Sequence, residues 1–445
     1  MTTGETLGGE DIAWLRMEQP SNPMVVNGVL ELATRLSVDE ARGVFERLVA
    51  SPRLRSKLVP PRFPLGRPAW VPASDFDVAD HVERVELDRP GDLALRELLG
   101  AAVSSRLDPS RPLWKVYWID RPGAGTTVLF RVHHAMADGF ALLRLLSSVC
   151  DDGALLRQET GGARAPHRRM RAPVRASVRA LRHLVTLPPD GDTALKRAAL
   201  GEKRVAWSEP LALSEVKTIS RFASATVNDV LVAVAAGALG RYLRRQGEST
   251  SGLELHAMVP VNLRPDPSTD ATLGNRFGLI VLGLPIGIED PLERVKAVRQ
   301  RMQRLKRTPE AAVTYGLLHG MGWAPQRVED VAVRFFAKKA SLVLTNVPGP
   351  RQQMKLAGIP ITRMMFWVPQ ASRVGLGLSI FSYAGDVTVG VLSDAGVVPF
   401  PDALVADLHA ELVALEAEVR AAGSAQDACA AITATISGSR ANKSP

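Results

Sequence analysis

The hydrophobic positions of the chain follow two different periods. Apolar residues at i, i+3 and i+4 predict helices, whereas alternating or short continuous apolar runs predict strands. The helical pattern covers residues 37–50, 92–106, 140–149, 226–243, 292–307 and 402–421. The strand pattern covers residues 24–32, 114–119, 126–132, 255–262, 341–347, 375–383 and 387–392. Because strands and helices mix without regular βαβ alternation, the pattern predicts an α+β architecture.

The chain divides into two lobes, residues 1–150 and 206–445, separated by a basic connector at 151–205. Within the connector, Val174, Val178, Leu181 and Val185 fall on one helical stripe, beside Arg171, Arg175, Arg179 and Arg182. Such a helix is typical of contact with an anionic bilayer, but a linker helix packed on a lobe has the same pattern. We expect residues 52–72 to be extended and the small, polar tail from Gly423 to be frayed.

Composition and charge narrow the class of protein. Of 445 residues, 46% are apolar and 23% charged, which indicates a folded chain with a large core. The net charge of +9 favours an anionic lipid surface or a phosphate-bearing ligand. No nucleic-acid-binding signature accompanies that charge, so we expect no nucleic-acid partner.

The N-terminal residues do not indicate a signal peptide, and the cysteines do not indicate a metal site. The first ten residues lack the basic and apolar blocks of a signal peptide, and the best apolar run, 230–240, is shorter than the ~20 residues of a membrane span. We therefore expect a cytoplasmic protein. Cys150 and Cys429 lack CxxC spacing, which supports neither a metal site nor a disulfide framework.

The most informative motif is HHxxxDG, formed by His133, His134, Asp138 and Gly139 at the end of the apolar strand 126–132. A neutral imidazole accepts a proton near pH 7, which an alcohol needs before it can attack a thioester. No GxSxG nucleophile motif is present, and neither cysteine has a histidine nearby in sequence. The motif therefore predicts an acyltransferase, and the sequence shows no recognised nucleophile motif for an acyl-enzyme.

Several further motifs follow one another in a fixed order. They are 9–15, 22–24, Pro112-Leu113-Trp114, Asn228-Asp229, 259–264, Gly274-Asn275, 346–350 and Ser382-Tyr383-Ala384-Gly385. Together with HHxxxDG they closely resemble those of the bacterial wax ester synthase/diacylglycerol acyltransferase family, over nearly the whole chain. HHxxxDG alone also occurs in peptide-synthetase condensation domains, so the ordered set is the more specific signal.

The resemblance implies two lobes similar to chloramphenicol acetyltransferase, with a substrate tunnel between them. It makes His134 the general base, with His133 orienting or lining the site. Acyl-CoA would enter from one side as a co-substrate, with no cofactor, and diacylglycerol or a long-chain alcohol from the other. The products would be triacylglycerol or wax ester.

The roles of several motif residues have two interpretations. Asp138 either forms a structural ion pair with Arg264, as the resemblance implies, or caps the helix after it. Gly139 is expected to allow a tight turn beside the channel. Either Asn346 or Ser382 is the expected donor of a hydrogen bond to the oxyanion. Asn228-Asp229 either caps a helix or contacts substrate, and Trp114 belongs either to the core or to the pocket. Residues 364–367 form either a buried strand or part of the tunnel wall.

Other functions are compatible with the same motifs. The enzyme could acylate another hydroxyl or an amine, from CoA or from a carrier-protein thioester. A non-catalytic lipid-binding protein would instead bind vesicles without releasing CoA. Peripheral contact with the inner face of the membrane or with lipid droplets is a separate expectation, based on the connector stripe.

Overall fold

The computed structural model describes residues 4–61, 66–151, 173–264, 274–372 and 374–441. The helices are α1 (Gly9–Met17), α2 (Val38–Leu48), α3 (Asp92–Ser104), α4 (Gly139–Val149), α5 (Val174–Thr186), α6 (Leu213–Phe222), α7 (Val227–Arg245), α8 (Pro291–Lys306), α9 (Glu310–Met321), α10 (Gln326–Ala337) and α11 (Pro401–Ala441). Short 3-10 helices cover Pro52–Arg55, Val78–His81 and Ala194–Lys196.

The strands are β1 (Glu5–Thr6), β2 (Val25–Leu32), β3 (Ser56–Val59), β4 (Ala69–Pro72), β5 (Val82–Glu86), β6 (Trp114–Asp120), β7 (Thr126–His133), β8 (Lys203–Trp207), β9 (Leu211–Ala212), β10 (Leu255–Asn262), β11 (Phe277–Leu284), β12 (Leu342–Pro348), β13 (Lys355–Leu356), β14 (Ile359–Trp367), β15 (Leu376–Tyr383) and β16 (Asp386–Asp394). They form two large sheets and a small one, with helices packed on them. The predicted α+β class is confirmed.

Two large sheets organise the two lobes. The first has the order β13-β14-β2-β7-β6-β5, and the second has the order β11-β10-β12-β15-β16-β8, with β9 paired to β16. The small sheet, β1-β4-β3, includes residues of the segment 52–72 that we expected to be extended. Each large sheet carries its own hydrophobic core.

The first sheet contains a strand from the far half of the chain. β14 pairs antiparallel with β2, so that Met364 lies opposite Leu30 and Trp367 opposite Asn27. Its residues Met364 to Trp367 are buried, which agrees with the buried-strand interpretation and places them away from the cavity described below. The first sheet therefore combines strands from both sides of residue 206, where the sequence divides into lobes.

A third apolar cluster joins the lobes. It combines Val29 and Leu129 of the first sheet with Val205 and Leu392 of the second. Trp207 and Trp367 pack there, with ring centroids 6.1 Å apart. The two lobes consequently share buried surface in addition to the exchanged strand.

The remaining differences concern elements with weak patterns. We did not predict α6, α9, α10 or β11, and the tail expected to fray continues as α11 to Ala441. No single helix among the described residues is long and apolar enough to cross a bilayer, although α6 and α7, bent by 96°, meet that criterion as a pair.

Candidate active site

The HHxxxDG motif lies where β7 ends in the middle of the first sheet. All eight residues of β7 are buried, including the polar Thr126, Thr127 and Arg131. The backbone N–H of His133 donates to Leu113 O at 2.9 Å, and that of His134 donates to Met24 O at 2.7 Å. The strands on either side therefore fix the backbone of both histidines.

The segment Pro112-Leu113-Trp114 supports this strand from one side. Trp114 is buried, its indole N–H donates to Leu54 O at 2.7 Å, and its ring stacks on His81 at 4.4 Å. It does not line the apolar cavity beside His134, so it belongs to the core in this structure.

Asp138 performs both of the structural roles that the sequence left open. Its Oδ1 accepts from the backbone N–H of Ala141 at 2.9 Å, which caps α4. Its Oδ2 contacts the Arg264 guanidinium and accepts from Arg276 N at 3.2 Å. Because Arg264 also donates to Gly274 O at 2.7 Å, the ion pair connects the motif to the segment after β10.

Gly139 does not make the turn that we expected. It is the first residue of α4 and is not among the residues with positive φ. It lines the cavity, and a Cβ built there would meet no atom within 4 Å. Glycine therefore leaves open space at the cavity wall and is not needed for the backbone conformation.

His134 packs against two aromatic rings at the edge of an apolar cavity. Its ring stacks on Trp14 of α1 with centroids 4.3 Å apart and lies 5.4 Å from Phe277 of β11. The side chain is 6% exposed. Burial lowers the pKa of His134, while the Asp138 charge and the Asn275 hydrogen bond act in the opposite direction. Its imidazole is therefore neutral near pH 7.

Asn275 determines which nitrogen of His134 carries the proton. The Asn275 Nδ2 group donates to Asp11 Oδ1 and to His134 O, both at 2.7 Å. Both partners only accept, so the Asn275 Oδ1 must face His134 Nδ1, 2.9 Å away, and accept its proton. Nε2 is consequently the unprotonated nitrogen, and no described residue hydrogen-bonds to it.

Gly274 and Asp11 keep the Asn275 amide in this orientation. Gly274 has φ +125°, which favours glycine, and turns the chain so that Asn275 faces the motif. Asp11 is buried, and burial raises its pKa to about 6, so it is still mostly ionised at pH 7. The sequence placed Asp11, Trp14 and Asn275 in family motifs but assigned them no role.

His133 has a different environment, which fits the orienting role. Its Nδ1 accepts from the backbone N–H of Ala135 at 3.0 Å, so its proton is on Nε2, 3.8 Å from Glu18 Oε1. Burial lowers the pKa of His133 to about 3. Since it does not line the cavity, it presents no free lone pair to a substrate there.

The cavity beside His134 lies on one face of the second sheet. Residues of three adjacent strands line it, and α9 and α10 close it from the other side. At about 3.4 Å per residue, the run from Phe277 to Val281 extends the wall for roughly 14 Å. The strand residues are Phe277, Leu279, Val281, Met258, Pro260, Asn262, Val343, Thr345, Asn346 and Val347, and the helix residues include Leu317, Leu318, Met321, Val333, Phe336 and Ala337. Such a wall fits a long hydrocarbon chain.

The other predicted site residues separate into two groups. Asn346 lines the cavity, and its Nδ2 donates to Asn228 Oδ1 at 2.9 Å. Asp229 completes a capping box with Thr226 at the start of α7, so it has the capping role. Ser382 does not line the cavity. It lies on β15 and pairs with Pro348, which is two residues after Asn346 on β12.

The chemistry available at this site is that of acyl transfer. A neutral imidazole presents an unprotonated nitrogen to an apolar cavity, and no serine or cysteine lines that cavity within the described part of the chain. Those same residues contain no group of three or more His, Cys, Asp or Glu side chains placed to hold a metal ion. Fold and site together define an acyltransferase of the HHxxxDG class.

Comparison with known proteins identifies the family. Residues 7–190 match the wax ester synthase/diacylglycerol acyltransferase catalytic domain, and residues 273–416 match the C-terminal domain of the same family. A probable diacylglycerol O-acyltransferase of Mycobacterium tuberculosis is 30% identical over 83% of this chain and 86% of its own length. The O-acyltransferase WSD of Acinetobacter baylyi is 25% identical over 91% and 96%. The chain belongs to the wax ester synthase/diacylglycerol acyltransferase family and is an acyltransferase of that type.

Solved structures agree on the fold. The wax ester synthase/diacylglycerol acyltransferase of Marinobacter aquaeolei VT8 superposes with a TM-score of 0.70 at 21% identity, covering 93% of this chain and 99% of that protein. The first condensation domain of the calcium-dependent antibiotic synthetase gives a TM-score of 0.63 at 15% identity, covering 93% and 96%. The expected pair of chloramphenicol-acetyltransferase-like lobes is thereby confirmed.

Proposed function

We propose that this protein transfers a long-chain fatty acyl group from acyl-CoA to diacylglycerol, to a long-chain alcohol, or to both. The observation that carries the proposal is the unprotonated Nε2 of His134 at the wall of a long apolar cavity. The name of the family and that of the mycobacterial relative support the same acceptor classes.

The reaction needs one proton to move twice. His134 Nε2 takes the proton from the acceptor hydroxyl as its oxygen attacks the thioester carbonyl. The tetrahedral intermediate collapses, the C–S bond breaks, and Nε2 returns the proton to the CoA sulfur. A thiol of pKa about 8.5 is a good leaving group, so no acyl-enzyme is needed.

Asn346 is the proposed donor to the oxyanion. It lines the cavity, and its amide is held by Asn228. One such donor typically contributes ~3–4 kcal/mol to transition-state stabilisation. We propose that Asn228 acts through Asn346 and does not contact substrate itself.

The test is a turnover assay with purified protein and palmitoyl-CoA. Acceptors are a diacylglycerol, a long-chain alcohol and a long-chain amine, with CoA release followed by a thiol reagent and products identified by mass spectrometry. We expect ester formation with at least one of the two lipid alcohols, and a roughly 10²–10⁴-fold loss in His134→Ala. Wild-type turnover by His134→Ala would overturn the assignment of the base.

The same assay separates the alternatives. Acylation of the amine but of neither alcohol, or turnover with a carrier-protein thioester but not with palmitoyl-CoA, would overturn the proposed substrates.

We propose that the reaction takes place at the cytoplasmic side of a membrane or at lipid droplets, where lipid acceptors of this kind reside.

A further inference from the structure

Helix α5 carries an apolar stripe that is not packed against either lobe. Val174, Val178, Leu181 and Val185 are 78%, 60%, 38% and 50% exposed. Another face of the helix holds Ala180 and Leu184, which are buried. A linker helix packed on a lobe therefore explains the buried face of α5. It does not explain the apolar stripe, which is exposed to solvent.

Helix α10 repeats this arrangement. Val328, Val331 and Phe335, spaced for one helical face, are 55%, 60% and 40% exposed. Glu329 and Ala337 on the same helix are buried. Two amphipathic helices, far apart in sequence, thus expose apolar residues on this protein.

The two stripes meet at Lys339. Its ammonium donates to Val185 O at 2.6 Å and lies 4.3 Å from the centroid of the Phe335 ring. The end of the α5 stripe and the end of the α10 stripe therefore flank one side chain. We call the combined surface of Val174, Val178, Leu181, Val185, Val328, Val331 and Phe335 the docking face.

Exposed cations accompany the docking face. They are Arg175, Arg179 and Arg182 on α5 and Arg327, Arg334 and Lys338 at α10, and none of them forms an ion pair with another described residue. Helix α5 has no acidic residue, and α10 has only buried Glu329 and half-buried Asp330. Arg171, predicted to continue the basic stripe, lies outside the described residues.

The helices of the docking face also line the substrate cavity. Leu184 of α5 and Phe336 and Ala337 of α10 are cavity residues. One face of each helix is thus turned to the cavity and the other to solvent. A partner bound at the docking face would be separated from the substrate cavity by a single layer of helices.

We infer that α5 and α10 form a docking face for an anionic phospholipid bilayer, placed so that a lipid acceptor reaches the cavity from the membrane. Exposed apolar residues with flanking arginines are the pattern of helices that lie in a bilayer interface. A second copy of this chain fits less well, because two-fold pairing would bring the six cations of each copy together. The part of the inference that concerns the acceptor rests on the proposed function, whereas bilayer binding does not.

The experiment measures flotation of the full-length protein with vesicles of phosphatidylcholine alone or mixed with phosphatidylglycerol. We expect preferential binding to the anionic vesicles that weakens with added salt. A triple variant, Arg175→Glu, Arg179→Glu and Arg182→Glu, should bind about tenfold or more weakly, as should the pair Val331→Ser and Phe335→Ser. The matched control is Arg42→Glu, Lys217→Glu and Lys306→Glu, which changes net charge equally at exposed positions on α2, α6 and α8 and should bind as wild type.

Turnover separates this inference from the proposed function. With a short-chain alcohol in solution the docking variants should match wild type, and with an acceptor embedded in anionic vesicles they should be slower. Binding to vesicles without any CoA release would support the docking face and overturn the proposed function. Equal binding to neutral and anionic vesicles, wild-type binding by both docking variants, or a dimer that these variants dissociate would overturn the docking face.

Discussion

At the scale of single residues, the proposed chemistry depends on which nitrogen of His134 holds a proton. Two acceptor-only partners fix the Asn275 amide, and that amide in turn fixes the tautomer of the imidazole. A histidine with the wrong tautomer loses most of its value as a base even where its position is unchanged. Asn275 is therefore a positioning residue for His134.

Replacement of Asn275 should impair turnover and alter its pH dependence. We expect Asn275→Leu to lower kcat by about 100-fold while the KM for acyl-CoA changes little. Because the Asn275 hydrogen bond raises the pKa of His134, its loss should move the acidic midpoint of kcat to lower pH. The control is Asn27→Leu, another buried asparagine without contact to His134, which should leave that midpoint in place. An unchanged midpoint in Asn275→Leu would show a merely structural role.

The wild-type pH profile follows from the same side chain. A general base must be unprotonated, and burial lowers the pKa of His134 below its ordinary value of 6.5. Activity should therefore be complete at neutral pH and be lost only as pH falls through that lowered pKa. The measurement is kcat/KM against pH, and a midpoint above 6.5 for the acidic limb would contradict this environment for His134.

At the scale of elements, the Asp138 carboxylate lies at the end of the turn between β7 and α4. It connects this turn to a second segment of the chain. Asp138 caps α4 through one oxygen and binds Arg264 through the other. Both partners are at most 4% exposed, so the pair is shielded from solvent. A buried ion pair of this kind costs more to break from one side than it contributes as a whole.

Two substitutions at position 138 separate the roles. Asparagine is a good N-cap, so Asp138→Asn should lose the charge opposite Arg264 but retain the cap, with a loss of about 3 kcal/mol in the free energy of unfolding. Asp138→Ala should lose about 1 kcal/mol more. Urea denaturation measures both. Asp290→Asn, at the exposed N-cap of α8, is the control and should cost little. Equal stability of Asp138→Asn and wild type would mean that the ion pair contributes nothing.

At the scale of the whole molecule, the two lobes are interlocked. β14 comes from the second half of the chain and completes the first sheet beside β2. Without it, β2 would expose an apolar, unpaired edge, which is prone to aggregation. Neither half is therefore structurally complete on its own.

Expression of the halves tests this interlock. We expect the fragment 1–200 alone to be aggregated or to lack near-UV circular dichroism, and co-expression with 201–445, which keeps β8 whole, to restore a folded complex. The intact chain should unfold in one transition seen by both near- and far-UV signals. A fragment 1–200 that is monomeric, with native-like near-UV ellipticity, would refute the dependence on β14.

Much of the fold was predictable because helix and strand patterns are local. Strands β2, β7, β10 and β15 and helix α4 lie within a residue or two of their predicted bounds. Helix α10 was missed because its apolar residues are divided between a cavity wall and an exposed face, so no single buried stripe appears. The pairing of β14 with β2 joins residues more than three hundred positions apart, and strand pattern carries no information on that partner.

The amino-acid sequence by itself determined the class of fold, the family and the identity of the candidate base, since these depend on local periodicity and on ordered motifs. Only the tertiary structure decided that Asn275 sets the tautomer of His134, that Asp138 has two partners, and that Asn346 lines the cavity while Ser382 does not. Each of these facts depends on contacts between segments distant in the chain. Such contacts follow from packing and hydrogen-bond geometry, which residue spacing does not encode.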